Sequence, residues 1–326
     1  MSDTLATIAS TLRDARTIAV ASHVRPDGDS IGSIVALGRS MALAGKTVHI
    51  ISEDAVPGNL TFLPGTELIQ RCDGKPLAVD VAVALDTATK PRLGELVNLA
   101  MGNAPVLINI DHHGTNPNYG HLNFIDTTYP ATGEIVYELL SHHGFPIDEG
   151  IRQNLFAAIS TDTGSFQYDN TSPRTHRIVA DMMEAGLDTA ELARQLYQSH
   201  PLRRTLLLKA LLNEMKITCD GRIASWALTL ETQHAVNMEP GDTEGLIDSL
   251  RTIEGVIAAV IFEDMPGGKV RISARSKDPR LDVSKVCAEF GGGGHRMASG
   301  ARMSGPINEA ETRFLDSLQN EIKRLG

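Results

Sequence analysis

Short apolar runs alternate with amphipathic stretches through the first half of the chain. Residues 17–21 read as a buried strand, 30–44 as a helix stopped at Gly45, and 47–52 as the next strand. Residues 79–85 and 106–110 are two more apolar runs, each closing in an Asp-containing turn. Strand and helix in regular turn predict a parallel sheet with crossover helices, and such sheets put ligand sites beyond the carboxyl ends of their strands. From residue 131 the period becomes helical, over 131–143, 149–160, 174–185 and 189–197, with Gly144 and Gly186 as stop signals. A further helix over 202–214 looks like a connector. Beyond it, strand-like runs at 223–230, 255–262 and 269–276 mix with helical patterns near 245–251, 282–290 and 308–325. The pattern predicts an α/β chain: an N-terminal domain built on a parallel sheet over 1–200, a helical linker over 201–215, and a smaller α/β domain with a mixed sheet over 216–326.

Composition narrows the class without changing this picture. A length of 326 residues suits two domains, and 42% hydrophobic with 21% charged residues excludes disorder and fibrous repeats. The net charge of −10 argues against a protein that coats duplex DNA, which would need Lys and Arg to neutralise phosphates. The three cysteines, Cys72, Cys219 and Cys287, form no C-x-x-C pair, so neither a disulfide framework nor a thiolate zinc site is indicated and a reducing compartment fits. With no leader pattern and no long apolar run, the expected location is the cytoplasm, away from membranes.

Candidate chemistry gathers at the predicted strand ends. The first strand runs into His23-Val-Arg-Pro-Asp27-Gly28-Asp29-Ser30, an imidazole and two carboxylates suited to a divalent cation, although Asp-Gly-Asp-Ser is also good helix-start sequence. The 79–85 run closes at Asp86 and the 106–110 run at Asp111-His112-His113. Each has a bland reading, as a helix cap or a loop. In a parallel sheet, however, all arrive at one edge, and their joint occurrence there favours a metal site. Asp162 ends a helical run, where a carboxylate opposes the helix dipole unless a cation lies near.

In the second domain Gly291-Gly292-Gly293-Gly294-His295-Arg296 exposes backbone N–H groups and adds two basic side chains, suited to a phosphate or carboxylate if it is more than a mobile turn. It fits neither the P-loop nor the dinucleotide fingerprint. Upstream, period-2 alternation puts Arg271, Ser273 and Arg275 on one strand face, as in a solvated edge strand or a phosphate-reading face. Trp226 reads as core, His142-His143 as a helix-end pair, and His49, His121, His176, His200 and His234 as surface residues.

His23-x-x-x-Asp27-Gly28-Asp29, Asp86, Asp111-His112-His113, Asp162 and Gly291-Gly292-Gly293-Gly294-His295-x-x-Ala298-Ser299-Gly300 resemble, in order and spacing, the DHH phosphoesterase superfamily with its DHH-associated C-terminal domain. The resemblance covers essentially the whole chain, including Ala131-Thr-Gly-Glu-Ile-Val-Tyr-Glu138 and Thr161-Asp-Thr-Gly164, and is nearest to the branch of bifunctional oligoribonucleases and pAp phosphatases. It implies two divalent ions, manganese foremost, with magnesium or cobalt as alternatives. His23, Asp27 and Asp86 would hold one; Asp29, Asp86, His112 and Asp162 would hold the other. It also implies catalytic roles for His113 and for Asp111 behind it, and substrate contacts from Arg275, Ser276, Gly292, Gly293, Gly294 and His295. One departure is visible, since Thr87-Ala-Thr-Lys90 follows Asp86 where relatives often carry another acidic or small polar residue. The implied substrates are short single-stranded RNA, dinucleotides and pAp; cyclic di-AMP or pApA hydrolysis and single-strand exonuclease action are alternatives, as is a nucleotide-binding regulator without turnover. A homodimer is also implied, and the apolar helices of residues 151–212 offer either its interface or an internal core.

Charge is divided along the chain. Residues 1–200 hold 13 Lys and Arg against 23 Asp and Glu, whereas residues 201–326 hold 17 of each. Residues 269–302 carry eight basic and three acidic residues around the glycine run. The acidity therefore belongs to the half with the metal motifs, and an anionic substrate is compatible with it.

Overall fold

The computed structural model describes residues 3–325. The chain divides into two compact units, one ending at Ser199 and the other starting at His200. The first contains α1 (Asp3–Asp14), β1 (Thr17–Ala21), α2 (Gly28–Leu43), β2 (Thr47–Ser52), β3 (Gln70–Arg71), β4 (Val81–Leu85), α3 (Glu95–Met101), β5 (Val106–Asp111), β6 (Leu122–Ile125), α4 (Thr132–His142), α5 (Glu149–Asp162), α6 (Pro173–Glu184) and α7 (Thr189–Tyr197). Its six strands lie in the order β3-β2-β1-β4-β5-β6, all parallel.

The apolar runs become strands because both of their faces are covered. Ile18 and Val20 of β1 and Val81, Val83 and Leu85 of β4 enter a core shared with α1, α2, α4 and α5. The intervening Ala19, Ala21, Ala82 and Ala84 pack on the opposite face with Leu93, Val97 and Met101. Strand order reverses between β1 and β4, so the crevice beyond their carboxyl ends is the position where such folds bind ligands.

Helices α2 and α5 approach closely, and glycine makes this possible. A Cβ at Gly28 would lie 2.4 Å from the Thr161 hydroxyl oxygen, and one at Gly32 would lie 2.4 Å from the Asn154 carbonyl oxygen. The start of α2 thereby meets the end of α5, which runs two residues past the predicted stop and includes Asp162.

The second unit contains α8 (Leu202–Glu214), β7 (Lys216–Thr218), β8 (Ile223–Leu228), α9 (Leu230–Ala235), α10 (Leu246–Arg251), β9 (Ala258–Met265), β10 (Lys269–Ser276), α11 (Val283–Glu289), β11 (Gly293–His295), β12 (Ala298–Ser304) and α12 (Ile307–Arg324). Its sheet, β11-β12-β10-β9-β8-β7, is mixed: β8 and β9 are parallel and the other pairs antiparallel. Phe262, Ile272, Met303 and Phe314 form the core on one face; Trp226, Leu228, Leu246 and Leu250 form it on the other. The stretch read as a connector, α8, lays Leu207 and Leu211 into this second core. Trp226 is fully buried, with its indole N–H donating to Glu214.

The run expected over 223–230 ends at Leu228, because Thr229 caps α9 by accepting from the Thr232 N–H. The one expected over 255–262 starts later, at Ala258, since Gly255 sits in a turn at φ +81°. No helix among the described residues is long and apolar enough to cross a membrane.

Candidate metal centre and a basic sheet face

Local chemistry puts each acidic or imidazole group at the sheet's carboxyl edge. His23 lies two residues past β1, and its Nδ1 is 2.9 Å from the Val24 carbonyl oxygen, a contact in which Nδ1 carries the proton and donates. Burial opposes a charged ring, but the carboxylates of Asp27 and Asp86 outweigh it and hold the imidazole well above its usual range. The His23 Nε2 faces Asp27 Oδ2 at 3.5 Å and Asp86 Oδ2 at 3.3 Å. Asp27 is also the N-cap of α2, its Oδ1 accepting from the Ser30 N–H at 3.0 Å. Asp27 therefore caps the helix through one oxygen and turns the other towards His23.

Asp86 follows β4 in the left-handed region, at φ +50°, a conformation that Asp and Asn tolerate better than most residues. It caps no helix, and its carboxylate is 2% exposed. One oxygen faces His23, while Oδ1 faces His112 Nε2 at 3.5 Å and His113 Nδ1 at 3.7 Å. His112 Nε2 also lies 3.3 Å from Asp162 Oδ2 and 3.9 Å from Asp29 Oδ2. Asp29 is completely buried. It accepts from the N–H groups of Thr132 (2.7 Å) and Gly133 (2.9 Å) and from the Ser33 hydroxyl (3.1 Å).

Among the described residues, donor atoms lie within 4.8 Å of one another in three overlapping groups: His23, Asp27 and Asp86; Asp29, His112 and Asp162; Asp86, His112 and His113. Carboxylates and imidazoles thus converge in one basin. Burial and the neighbouring carboxylates of Asp86 and Asp162 hold the Asp29 carboxyl well above its usual range. Desolvation, with Asp27 and Asp86 adding to it against His112, pushes Asp162 up to about 7. Burial disfavours a charged His112, but the carboxylates of Asp86, Asp162 and Asp29 outweigh it and raise the imidazole to about 10. The basin demands positive charge, and carboxylate oxygens with imidazole nitrogens fit a divalent cation of the manganese or magnesium kind better than a thiophilic one.

His113 is held differently. Its Nδ1 donates to Asp111 Oδ1 at 2.7 Å, and its ring meets His112 edge-on at a centroid distance of 4.5 Å. Asp111 is completely buried, and its other oxygen accepts from Asn116 at 2.7 Å. Sequence reasoning did not assign roles to Asn116 or to Thr132 and Gly133. The Thr-Gly pair at a helix start was the available signal; Asn116, in a loop, offered none.

In the second unit the strand register aligns Arg275 of β10 with Ala298 of β12, and Ala298 with His295 of β11. Arg275 and His295 therefore share a face two strands apart, roughly 10 Å at ordinary strand spacing. Ser273, Gly300 and Gly293 form the next row on that face, and Arg271 and Arg302 pair in the row after the Ser273–Gly300 one. Arg271 is already engaged, by Glu263 and Thr243. Half of the glycine run, Gly293 and Gly294, lies in the short edge strand β11, and Gly291 is in the turn before it at φ +71°. A Cβ on Gly292 would sit 2.2 Å from the Gly300 carbonyl oxygen and one on Gly294 would sit 2.7 Å from that of Ala298, whereas one on Gly293 meets nothing within 4 Å.

Ser276, named among the implied substrate contacts, is placed differently from Arg275. It lies one residue past Arg275 in an extended strand and so points to the opposite face, where it is fully buried. Its hydroxyl donates to the Asp278 carbonyl at 2.9 Å and accepts from the Asp278 N–H at 3.2 Å, so it closes a turn and does not reach a ligand.

A parallel sheet delivering a carboxylate-and-imidazole basin to its switch point is the framework of a metal-dependent hydrolase. Residues 17–161 match the DHH family, N-terminal domain, and residues 228–324 match the DHHA1 domain. The chain is 31% identical over 310 residues to the bifunctional oligoribonuclease and PAP phosphatase NrnA of Thermus thermophilus, an alignment covering 95% of this chain and 91% of that one. It belongs to the DHH family of phosphoesterases, in the form that carries a DHHA1 domain. The protein of the same name from Bacillus subtilis is 26% identical over 288 residues, across 87% of this chain and 88% of the other. An exopolyphosphatase-related protein from Bacteroides fragilis has a crystal structure that matches with a TM-score of 0.91 at 26% identity, over 99% of this chain and 97% of that one.

Proposed function

We propose that this phosphoesterase hydrolyses short RNA oligonucleotides to mononucleotides and removes the 3′-phosphate of pAp, using two divalent ions, manganese foremost. The observation that carries the reading is the use of both Asp86 oxygens: one faces His23, beside Asp27, while the other faces His112, beside Asp29 and Asp162. A carboxylate so placed suits a bridge between two cations. The names of the 31% and 26% identical relatives supply the substrate class.

Ions held there would neutralise the phosphoryl oxygens and make a water nucleophilic at neutral pH. The chain's own groups do the rest. His23, Asp27 and Asp86 form one donor set; Asp29, Asp86, His112 and Asp162 form the other. Asp111 fixes the proton of His113 on Nδ1, so that Nε2 is the atom that faces the scissile phosphate or the leaving oxygen. The second unit holds the nucleotide end through Arg275, His295 and the N–H groups of Gly292, Gly293 and Gly294. The small residues on that face, Ala298 between Arg275 and His295 and Ser273, Gly300 and Gly293 in the next row, suit a ring or sugar lying against the sheet.

The test is hydrolysis by the full chain with manganese or with chelator. Substrates are 5′-labelled di- to pentaribonucleotides, pAp, pApA and cyclic di-AMP. Manganese-dependent release of mononucleotides, together with conversion of pAp to AMP, is expected. Turnover of cyclic di-AMP or pApA alone would replace the substrate assignment, and no turnover of any of them would overturn the reading.

A further inference from the structure

Helix α4 begins without a side-chain cap, because its N-cap residue is Ala131. The first N–H groups of a helix need partners, and those of Thr132 and Gly133 find both oxygens of Asp29, a residue 103 and 104 positions away on α2. Asp29 is thus the cap of a helix to which it does not belong. Gly133 permits the approach: a Cβ there would lie 2.6 Å from that of Ala158 and 3.4 Å from Asp29 Oδ1. Thr132 does more than lend its N–H. Its hydroxyl, fully buried, reaches Asp86 Oδ1 at 3.4 Å. One residue therefore contacts two carboxylates that come from different elements, Asp29 of the second donor set and Asp86, which is common to both, and it takes up lone pairs on each.

We infer that Thr132 is a positioning residue that sets the separation and orientation of Asp29 and Asp86, and through them the affinity of the chain for its divalent ions. Two buried like charges repel, and a bifunctional donor between them opposes that repulsion in the metal-free protein while leaving one oxygen edge of each carboxylate for the cation. The inference rests on the metal reading above.

Thr132→Val keeps the shape and the main-chain N–H and removes only the hydroxyl; Thr132→Ser restores it. Manganese binding to the full chain by calorimetry should weaken about tenfold or more in Thr132→Val, the range known for groups that orient metal ligands, and Thr132→Ser should recover most of it. The manganese concentration giving half-maximal activity should rise in parallel, with a smaller loss of kcat at saturating metal. Thermal unfolding in chelator checks the fold; Thr132→Ala, which opens space, replaces the valine variant if that one fails to fold. Unchanged manganese affinity in a folded Thr132→Val protein, or equal losses in the valine and serine variants, would overturn the role. A wild-type chain that takes up no manganese would overturn the metal reading and this inference with it.

Discussion

The two units solve opposite problems. In the first, the reactive groups are deep: Asp29 and Asp111 are completely buried, and Asp86, His23 and His112 are less than a tenth exposed. In the second, the groups proposed to hold the nucleotide are shallow, with His295 and Gly293 exposed on an edge strand. The first concentrates negative charge in low dielectric and holds it with helix N–H groups and hydroxyls, at a cost that a bound cation would offset. The second spreads positive charge along a sheet face, where water remains at hand. The difference teaches that the net charge of the chain says little about its ligand. What decides is which charges are forced together and which are left at the surface.

If that division is right, a change in the basin should affect every substrate and a change on the sheet face should not. Asp86→Asn is the sharpest test. Asparagine tolerates the left-handed backbone at this position and keeps the volume, so folding should persist, but both donor sets lose a charged ligand. Turnover of all substrates should drop below about one thousandth of wild type, beyond the 10–100-fold range of groups that merely orient ligands. Retained activity toward any one substrate would break the comparison at its centre. His295→Ala should be milder and selective. Loss of a contact to a charged group predicts roughly a tenfold fall in kcat/KM for pAp and for dinucleotides. A small artificial phosphodiester with no nucleotide end should be cleaved as before, and equal losses on both would remove the anchoring role.

Much of the first unit was legible in the sequence because parallel strands buried on both faces are continuous apolar runs, and 17–21, 47–52, 79–85 and 106–110 are such runs. The convergence of His23, Asp27, Asp29, Asp86 and His112 followed from the same rule, since every parallel strand must end at one edge, whereas Asp162 ends a helix and reaches the site because α5 packs against the start of α2. What could not be read was what holds them. The contacts of Thr132 and Gly133 with Asp29 span more than a hundred residues, and no local pattern announces that one helix is capped from another. The second unit was harder. Strand β12 alternates Ser299, Ala301 and Met303 inward with Ala298, Gly300 and Arg302 outward, residues too small to give a clear period. The edge strand β11 is mostly glycine and has no period at all. Ser276 lies on the face opposite Arg275 because a single step along an extended chain reverses the side-chain direction, which its place next to Arg275 in the sequence does not announce.

The glycines give the finest distinction, because a run of four reads as one feature in sequence and separates into different ones in space. Gly292 is glycine for the fold: a methyl group there would strike the Gly300 carbonyl and Ala301, which are backbone and adjacent strand and cannot move aside. Gly294 lies at φ +143° and is crowded by Ala298 and Ser299. Gly293 has neither constraint, since it is an exposed edge-strand residue at ordinary φ with open space where a Cβ would be. A ligand coming close to the strand would account for its lack of a side chain. Gly292→Ala should therefore lower thermal stability by about 1–3 kcal/mol through overpacking, with activity falling in step. Gly293→Ala should leave the melting temperature within the small range of surface changes, about 0.5 kcal/mol. It should nonetheless raise KM severalfold for pAp and dinucleotides, and not for the small diester. A Gly293→Ala protein with unchanged KM would mean that no ligand approaches this strand closely, and the grip would then rest on the side chains of Arg275 and His295 alone.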